Sequence, residues 1–233
     1  MFKSHSEPRE GHLSENSTAA ATETRRLGST RRLVWLLLGA IVIFGLSTAA
    51  ASGSVSALEA GAFELVNELP DALFWPMWAV MQLGNLLAVP TLAIGALLFR
   101  RWRLAAGLAV AGVACWILGK VVKDFVGRGR PGALLEDVIL RRSYAGGGGY
   151  VSGHAAVVFA LATVLHPYLS RRWRVVSWTL AFLVSFARIY VGAHLPLDCI
   201  GGAALGCGIG LIVLLAMRAT EQRPAAAGPQ LDR

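Results

Sequence analysis

The sequence predicts an all-α polytopic membrane protein in which six transmembrane helices form one bundle. Two observations predict this fold class. Of the 233 residues, 55% are hydrophobic and only 15% are charged, and the apolar residues lie in long runs separated by short basic clusters. Such a chain is too apolar for an ordinary soluble domain, and its length suits one bundle of spans. The formal net charge of +8 does not indicate a nucleic acid partner, because basic clusters beside apolar runs orient helices in a membrane.

The N-terminal part combines a polar tail with a first apolar run. Residues 1–30 are rich in Ser, Thr, Glu and Arg and lack hydrophobic periodicity, which predicts a disordered cytoplasmic tail because they cannot bury enough apolar surface to fold alone. Residues 33–51 predict the first span. The run ends at Ala49-Ala50-Ala51-Ser52, which also fits a signal-peptide cleavage site, but it is long for a signal peptide and an uncleaved span is the preferred interpretation.

The segment 52–71 carries acidic residues and no Lys or Arg. Its apolar residues include Leu58, Phe63 and Leu65, and they predict a short interfacial helix. The absence of basic residues predicts that this segment lies on the non-cytoplasmic side of the membrane. Its acidic residues are Glu59, Glu64, Glu68 and Asp71.

Five further apolar runs complete the predicted bundle, which covers residues 31–218 and is followed by a disordered tail at 219–233. They lie at residues 72–99, 104–122, 155–169, 175–190 and 195–217. Pro90 predicts a kink in the first of them. The runs at 155–169 and 175–190 are shorter than the roughly 20 residues that cross a bilayer, so we expect them to borrow flanking residues or to lie inside the bundle.

Arginine clusters predict the orientation of the bundle. They precede the first span, follow the second, fourth and sixth spans, and therefore share one side, which the positive-inside rule makes cytoplasmic. Both termini are then cytoplasmic. The basic residues left on the outer side are Lys120, Lys123, Arg128, Arg130, Arg141, Arg142 and Arg188. They violate the rule, and a bound anion would explain them, although Lys120 is interpreted as an anchor at a helix end.

Three outward-facing segments, at residues 123–131, 151–154 and 188–198, converge if the bundle closes. Their cations Lys123, Arg130 and Arg188 suit the oxygens of a phosphoryl group, since Arg binds such oxygens in pairs and Lys acts as a point charge. Ser152 and Gly153 stand at a predicted helix start, where a hydroxyl and backbone N–H groups favour phosphate. Ionisable residues at membrane depth generally mark a function.

Two histidines in these segments fit phosphoryl transfer. One imidazole attacks phosphorus and the other protonates the departing oxygen. Asp198 follows His194 by four residues, so it can accept from the imidazole N–H and leave the other nitrogen free to attack. The outer loops lack the paired carboxylates that hold Mg²⁺ in two-metal phosphatases. We therefore predict no metal and no cofactor.

The three segments resemble the signature of the type-2 phosphatidic acid phosphatase superfamily, integral-membrane lipid phosphatases related to glucose-6-phosphatase and to soluble vanadium haloperoxidases. The family pattern is KxxxxxxRP, PSGH and SRxxxxxHxxxD. It matches Lys123 with Arg130-Pro131, Ser152-Gly153-His154, and Arg188 with His194 and Asp198. Two positions depart from it. Val151 replaces Pro and loosens the start of a helix, and Ala187 replaces Ser and removes one potential hydroxyl contact.

The resemblance implies an outward-facing active site in which His194 is the nucleophile, His154 the acid and base, and Asp198 the orienting carboxylate. Lys123, Arg130 and Arg188 bind phosphate in this scheme, with help from Ser152 and Gly153. The expected substrate is a lipid phosphate or diphosphate, such as undecaprenyl diphosphate, phosphatidate or phosphatidylglycerophosphate, in the inner membrane of a bacterial cell. The competing hypothesis is a lipid-phosphate binding or transport component without turnover, which would not require both histidines and Asp198.

Other features have simpler interpretations. The cysteines Cys115, Cys199 and Cys207 all lie in apolar runs without metal-ligand spacing, so they are interpreted as helix-packing residues. Gly84 and Asn85 are interpreted as interhelical packing and hydrogen-bonding residues. Residues 146–149 are four glycines, which form either a flexible linker or a loop that opens for a bulky head group.

Overall fold

The computed structural model describes residues 10–142 and 147–221, with side chains at 30–142 and 147–220. Within these ranges the chain forms nine α-helices and no strand. The helices are α1 (Glu10–Ala51), α2 (Ala57–Asn67), α3 (Phe74–Met81), α4 (Ala88–Leu98), α5 (Trp102–Val126), α6 (Pro131–Leu134), α7 (Gly153–Leu165), α8 (Arg171–Tyr190) and α9 (Pro196–Glu221). The protein is thus all-helical, as the sequence predicts. Residues 1–9 and 222–233 of the predicted tails, and Gly146, lie outside the described ranges.

Three helical segments are long and apolar enough to cross a membrane: Thr30–Ala51, Trp102–Leu134 and Pro196–Thr220. A fourth candidate is the bent pair Asp71–Gly84 and Ala88–Leu98, whose halves meet at 64°. The chain is therefore a multi-pass membrane protein with three or four candidate spans among its described residues. The 13 residues of α7 rise about 20 Å at 1.5 Å per residue, less than the roughly 30 Å hydrocarbon core. The count of six spans remains a prediction.

Helix α7 lies at the centre of the fold, with its residues 155–164 buried. Glycines at every fourth position of α9 face it. A methyl group at Gly202 would lie 2.5 Å from the Ser152 carbonyl oxygen, and one at Gly210 would lie 2.7 Å from Thr163 Cβ. Small residues at this spacing let two helix backbones approach closely in a membrane. The close contact of α7 with α9 brings the start of one helix to the start of the other.

The second predicted span is broken, and the break is not at Pro90. Helix α3 passes into a 3₁₀ turn that ends at Gly84, Asn85 is extended, and the Asn85 side chain accepts from the Leu87 N–H (3.2 Å) as α4 begins. Pro90 lies in the first turn of α4, where its missing N–H costs little. The predicted kink at Pro90 is therefore wrong in position. A local polar contact of Asn85, rather than an interhelical one, accompanies the break.

The N-terminal region differs from the expectation in one respect and agrees in another. Helix α1 begins at Glu10, so it extends into the segment for which composition predicts disorder. Alanines at 19–21 favour helix, and an established span offers a nucleus from which a helix propagates. The predicted interfacial helix is present as α2, capped by the Ser56 hydroxyl, which accepts from the Glu59 N–H at 3.2 Å. Its Leu58 is exposed and its Phe63 is buried.

Candidate active site

The three predicted segments meet at one end of the bundle because each begins or ends a helix there. Helix α5 ends at Gly127, whose φ of +64° is the left-handed conformation of a helix cap. The loop between α8 and α9 turns at Gly192, with φ of +74°, where a methyl group would lie 2.7 Å from the Ile139 carbonyl oxygen. Helix α9 then starts at Pro196, a residue preorganised for the first helical position.

Backbone contacts join the segments directly. The Gly149 N–H donates to the Arg128 carbonyl at 2.7 Å, and the Ser152 N–H donates to the Asp198 carbonyl at 2.9 Å. Tyr150 is fully buried, and its hydroxyl lies 2.8 Å from the hydroxyls of Ser47 and Thr48 on α1. The start of α7 is therefore fixed between α1, the end of α5 and the start of α9.

His194 and Asp198 form a buried pair. Only 2% of His194 and none of Asp198 is exposed. His194 Nδ1 lies 3.3 Å from Asp198 Oδ2, which also accepts from the Leu195 N–H at 2.9 Å. Burial, and then the positive charges of Arg188 and Lys123, lower the pKa of His194 well below its ordinary value. The imidazole is therefore neutral at pH 7, the form in which a nitrogen can attack.

Lys123, Arg130 and Arg188, here named the cation cluster, surround this pair closely enough to act on the charge of His194. Lys123 Nζ donates to the carbonyls of Gly148 (3.0 Å) and Gly149 (3.3 Å). Arg130 Nη1 donates to the Ala193 carbonyl at 3.1 Å. Arg188 Nη1 lies 3.1 Å from the sulfur of Met81, and its buried Nε has no hydrogen-bond partner.

The remaining predicted residues lie at the start of α7. His154 is close enough to interact electrostatically with His194 and with all three members of the cation cluster. It also lies against the turn before α4, since a methyl group at Gly84 would come within 2.9 Å of His154 Cβ. Gly84 is thus a packing residue, as predicted. The Ser152 hydroxyl is buried and accepts from the Ala155 N–H at 3.5 Å as a helix cap, while a methyl group at Gly153 would meet no atom within 4 Å.

The structure adds two residues that the motifs do not contain. Arg128 is buried, and it pairs with Glu59 of α2 (2.6 Å) and with Asp198 (3.1 Å). We refer to these three residues as the Glu59–Arg128–Asp198 cluster. Two signals in the sequence pointed to it. Arg128 stands two residues before the motif Arg130, and the acidic segment that contains Glu59 has no basic residues of its own and is predicted on the same side of the membrane.

Other outer cations also have partners within the chain. Arg141 Nε donates to Asp71 at 2.7 Å, and its two terminal nitrogens donate to the carbonyls of Asn67, Tyr190 and Leu69. The ammonium of Lys120 lies 3.8 Å from the centre of the Trp116 ring. The guanidinium of Arg142 lies 5.9 Å from the centre of the Phe74 ring and 5.7 Å from that of Trp75. These four outer cations, Lys120, Arg128, Arg141 and Arg142, therefore do not need the bound anion that the charge pattern predicted for the outer side. A bound anion is therefore expected at the cation cluster.

The described side chains offer no alternative centre of another kind. Among residues 30–142 and 147–220, no three His, Cys, Asp or Glu side chains come together as metal ligands would. The cysteines are free, and two of them bridge helices: the thiol of Cys115 contacts the Ala156 carbonyl and that of Cys199 the Ser185 carbonyl, both at 3.5 Å. This agrees with their interpretation as packing residues.

The fold and the site define a polytopic helical protein in which a buried histidine–aspartate pair faces a cluster of cations. The family model described as the PAP2 superfamily matches residues 100–222, which is more than half of the 233 residues. The chain belongs to the PAP2 superfamily. The resemblance predicted from the three motifs is confirmed.

Individual relatives support the same assignment. The chain is 35% identical over 121 residues to an undecaprenyl-diphosphatase of Sulfolobus acidocaldarius, covering 50% of this chain and 57% of that protein. It is 32% identical over 149 residues to a lipid A 4'-phosphatase of Bacteroides thetaiotaomicron, covering 57% and 65%. Both matches span less than two thirds of the relative. The crystal structure of Aquifex aeolicus LpxE superimposes with a TM-score of 0.63 at 31% identity, covering 68% of this chain and 96% of that one.

Proposed function

We propose that this protein is a membrane-embedded phosphatase that hydrolyses a phosphate monoester or diphosphate of a lipid through a phosphohistidine on His194. The observation that carries the proposal is the meeting of three distant segments around one histidine. His194 pairs with Asp198 at 3.3 Å, and Lys123, Arg130, Arg188 and His154 all lie within electrostatic range of it. A buried, neutral imidazole beside several cations suits attack on a phosphoryl group, because the cations offset the charge of its oxygens.

The reaction has two half-steps. In the first, His194 Nε2 forms a bond to phosphorus, the bond from phosphorus to the lipid oxygen breaks, and His154 donates a proton to that oxygen. In the second, His154 accepts a proton from water as the water oxygen bonds to phosphorus and the N–P bond breaks. Asp198 holds Nδ1 during both steps and offsets the positive charge on the phosphorylated ring. The cation cluster neutralises the phosphoryl oxygens without a metal or other cofactor.

The substrate class follows from the membrane setting and from the relatives. We place the site at the membrane surface, where a phosphorylated lipid can present its head group. The names of the two relatives, an undecaprenyl-diphosphatase and a lipid A 4'-phosphatase, both denote phosphate removal from a lipid. We therefore propose a lipid phosphate or diphosphate as the substrate, of the undecaprenyl diphosphate, phosphatidate or phosphatidylglycerophosphate type.

We further propose that the catalytic unit comprises residues 31–218 with six spans in a bacterial inner membrane. In this scheme α7 and α8 cross together with the four candidate spans, and the site faces outward with both termini cytoplasmic. The basic clusters at Arg31–Arg32, Arg100–Arg103 and Arg171–Arg174 support this orientation, because they share the side opposite the site.

Cysteine labelling tests the topology. Leu140 is exposed in the loop after α6, and Arg172 is exposed at the start of α8. In intact cells a cysteine at position 140 should react with an impermeant maleimide, and one at position 172 should react only after the cells are opened. The parent protein, which keeps its own cysteines, gives the background. The reverse labelling pattern would refute an outward-facing site.

Phosphate release from short-chain lipid phosphates in detergent, with EDTA present, tests the activity. We expect release that survives chelation and is inhibited by vanadate, a mimic of five-coordinate phosphorus. No release from any of several lipid substrates would favour the alternative, a lipid-phosphate binding or transport component. Release that stops only on chelation would instead indicate a metal-dependent enzyme.

A further inference from the structure

We propose that Glu59 and Arg128 are positioning residues for the reaction, acting on His194 through Asp198. This inference rests on the proposed phosphohistidine mechanism. Arg128 uses its two terminal nitrogens to hold both oxygens of Glu59, at 2.6 and 3.1 Å, and Nη1 also reaches Asp198 Oδ1 at 3.1 Å. A planar guanidinium that engages a carboxylate in this paired way has a fixed orientation, which a single contact would not impose.

Arg128 determines which oxygen of Asp198 faces the imidazole. Oδ1 is held by Arg128, whereas Oδ2 accepts from the Leu195 N–H and lies 3.3 Å from His194 Nδ1. The carboxylate therefore cannot rotate without breaking contacts at both oxygens. Orientation of a catalytic imidazole depends on such a fixed acceptor, because the acceptor selects the tautomer that leaves the other nitrogen unprotonated.

Glu59 also holds the segment that carries Asp198. Its Oε1 accepts from the Leu197 N–H at 3.1 Å, within the first turn of α9. The side chains of Arg128, Glu59 and Asp198 are only 3%, 4% and 0% exposed. Glu59 thus links α2, the end of α5 and the start of α9 in a place that water does not reach. Electrostatic effects between these groups are strong there.

The charges explain why a second carboxylate is present. One guanidinium between two carboxylates gives the Glu59–Arg128–Asp198 cluster one net negative charge. When His194 becomes phosphorylated its ring acquires positive charge, and this remaining negative charge stabilises the ring. Without the Glu59 carboxylate, Arg128 would neutralise Asp198, and the stabilisation of the phosphorylated ring would weaken. Neither Glu59 nor Arg128 belongs to the cation cluster, so the loss should affect kcat rather than phosphate binding.

The test compares Glu59→Gln with Glu64→Gln, a change of the same kind at an exposed residue of α2. Glutamine keeps the shape of the side chain and an oxygen for the Leu197 N–H. We expect Glu59→Gln to lower kcat and the single-turnover rate of histidine phosphorylation by about 10- to 100-fold, by analogy with the loss of a carboxylate that orients a metal-bound histidine. The KM and the inhibition constant of inorganic phosphate, a ground-state ligand of the cation cluster, should stay within about two-fold, since that cluster is intact. Glu64→Gln should match the parent.

Arg128→Lys keeps the test decisive if Glu59→Gln does not fold. Lysine preserves the buried positive charge but cannot hold both carboxylates in one plane, so kcat should again fall while the affinity for inorganic phosphate does not. Unchanged kcat in the folded variant, or a fall in which KM and the affinity for inorganic phosphate worsen equally, would overturn the positioning role. Failure of the mechanism itself looks different, because a parent protein without label on His194 would refute the proposed function before any variant is compared.

Discussion

Arg128 and Arg188 are both buried arginines at the same end of the bundle, but their surroundings differ. The guanidinium of Arg128 contacts two carboxylates, whereas that of Arg188 contacts the sulfur of Met81 and forms no ion pair among the described residues. Burying an uncompensated charge costs much more than burying a paired one. Arg128 is therefore a structural and positioning group, and Arg188 is suited to bind an anion. The partners of an arginine, more than its position in a motif, indicate its role.

Replacing Arg188 should have the largest effect. We expect Arg188→Ala to reduce kcat/KM by about 2 to 5 kcal/mol in transition-state free energy, as for the loss of one partner of a buried charge pair. Sensitivity to vanadate should fall with it, because both ligands present phosphoryl-like oxygens. Steady-state kinetics with a short-chain lipid phosphate measures both quantities. Arg128→Lys provides the contrast, since it should lower kcat and leave KM and the inhibition constant of inorganic phosphate unchanged, whereas Arg188→Ala should raise both. Full activity of Arg188→Ala would remove the basis for distinguishing the two arginines.

Two lysines on one face of α5 offer a second comparison. Lys123 donates to the Gly148 carbonyl within the site, whereas Lys120, three residues earlier, lies over the Trp116 ring. Lys123→Met should lower kcat/KM and raise the corresponding transition-state free energy by about 1.5 to 3 kcal/mol, the contribution of a hydrogen bond to a charged group. Lys120→Met should change it by less than about two-fold, because an exposed cation–ring contact contributes little to catalysis. Equal effects in the two variants would show that overall positive charge, and not the cation cluster, attracts the substrate.

The close packing of Gly84 against Val184 and His154 can be tested by adding one methyl group. At Gly84 it would come within 2.7 Å of Val184 and 2.9 Å of His154, so Gly84→Ala should destabilise the protein by about 1 to 3 kcal/mol and displace His154. At Gly95 of α4 no atom lies within 4 Å, and Gly95→Ala should be neutral or slightly stabilising. Thermal unfolding in detergent distinguishes them. Identical melting temperatures would contradict the close contact at Gly84.

The smallest expected effect is on the titration of His194. Its pKa lies below the ordinary histidine value because of burial first and the Arg188 charge second, so the folded state disfavours protonation. The stability from keeping this imidazole neutral is present above about pH 6.5 and is lost as the pH falls below that value. Arg188→Ala should move the pKa back towards the ordinary value. NMR of labelled histidine measures it, with Lys120→Met as control. An unchanged pKa in Arg188→Ala would contradict a contribution of the Arg188 charge to the low pKa of His194.

The sequence predicted which residues of the candidate site lie together better than it predicted the residues that support them. His194, Asp198, Lys123 and Arg188 occur in ordered motifs, and the spacing of four residues between His194 and Asp198 directly predicts a contact within one helical turn. Glu59 could not be assigned in this way, because 69 residues separate it from Arg128 and only the folded chain shows that they meet. Its neighbours Glu64 and Glu68 have the same side chain and are exposed.

The helices show a similar limit. Long apolar runs predicted α1, α5 and α9 well, because length and hydropathy alone decide whether a helix can span a bilayer. The break before α4 was misplaced at Pro90, since a proline in the first turn of a helix costs little, whereas the extended Asn85 with its contact to the Leu87 N–H ends the preceding helix. Such a contact between side chain and backbone leaves no periodic signal in the sequence.

The central claim, that His194 forms the covalent intermediate and His154 transfers the proton, is tested most directly by following phosphorus label on the enzyme. With p-nitrophenyl phosphate, whose leaving group needs no proton, His154→Ala should still become labelled, and the label should accumulate because its breakdown slows by roughly 10²–10⁴-fold without the base. His194→Ala should carry no acid-labile label with any substrate. Label that persists in His194→Ala and disappears in His154→Ala would contradict the account, because the two histidines would then have exchanged roles.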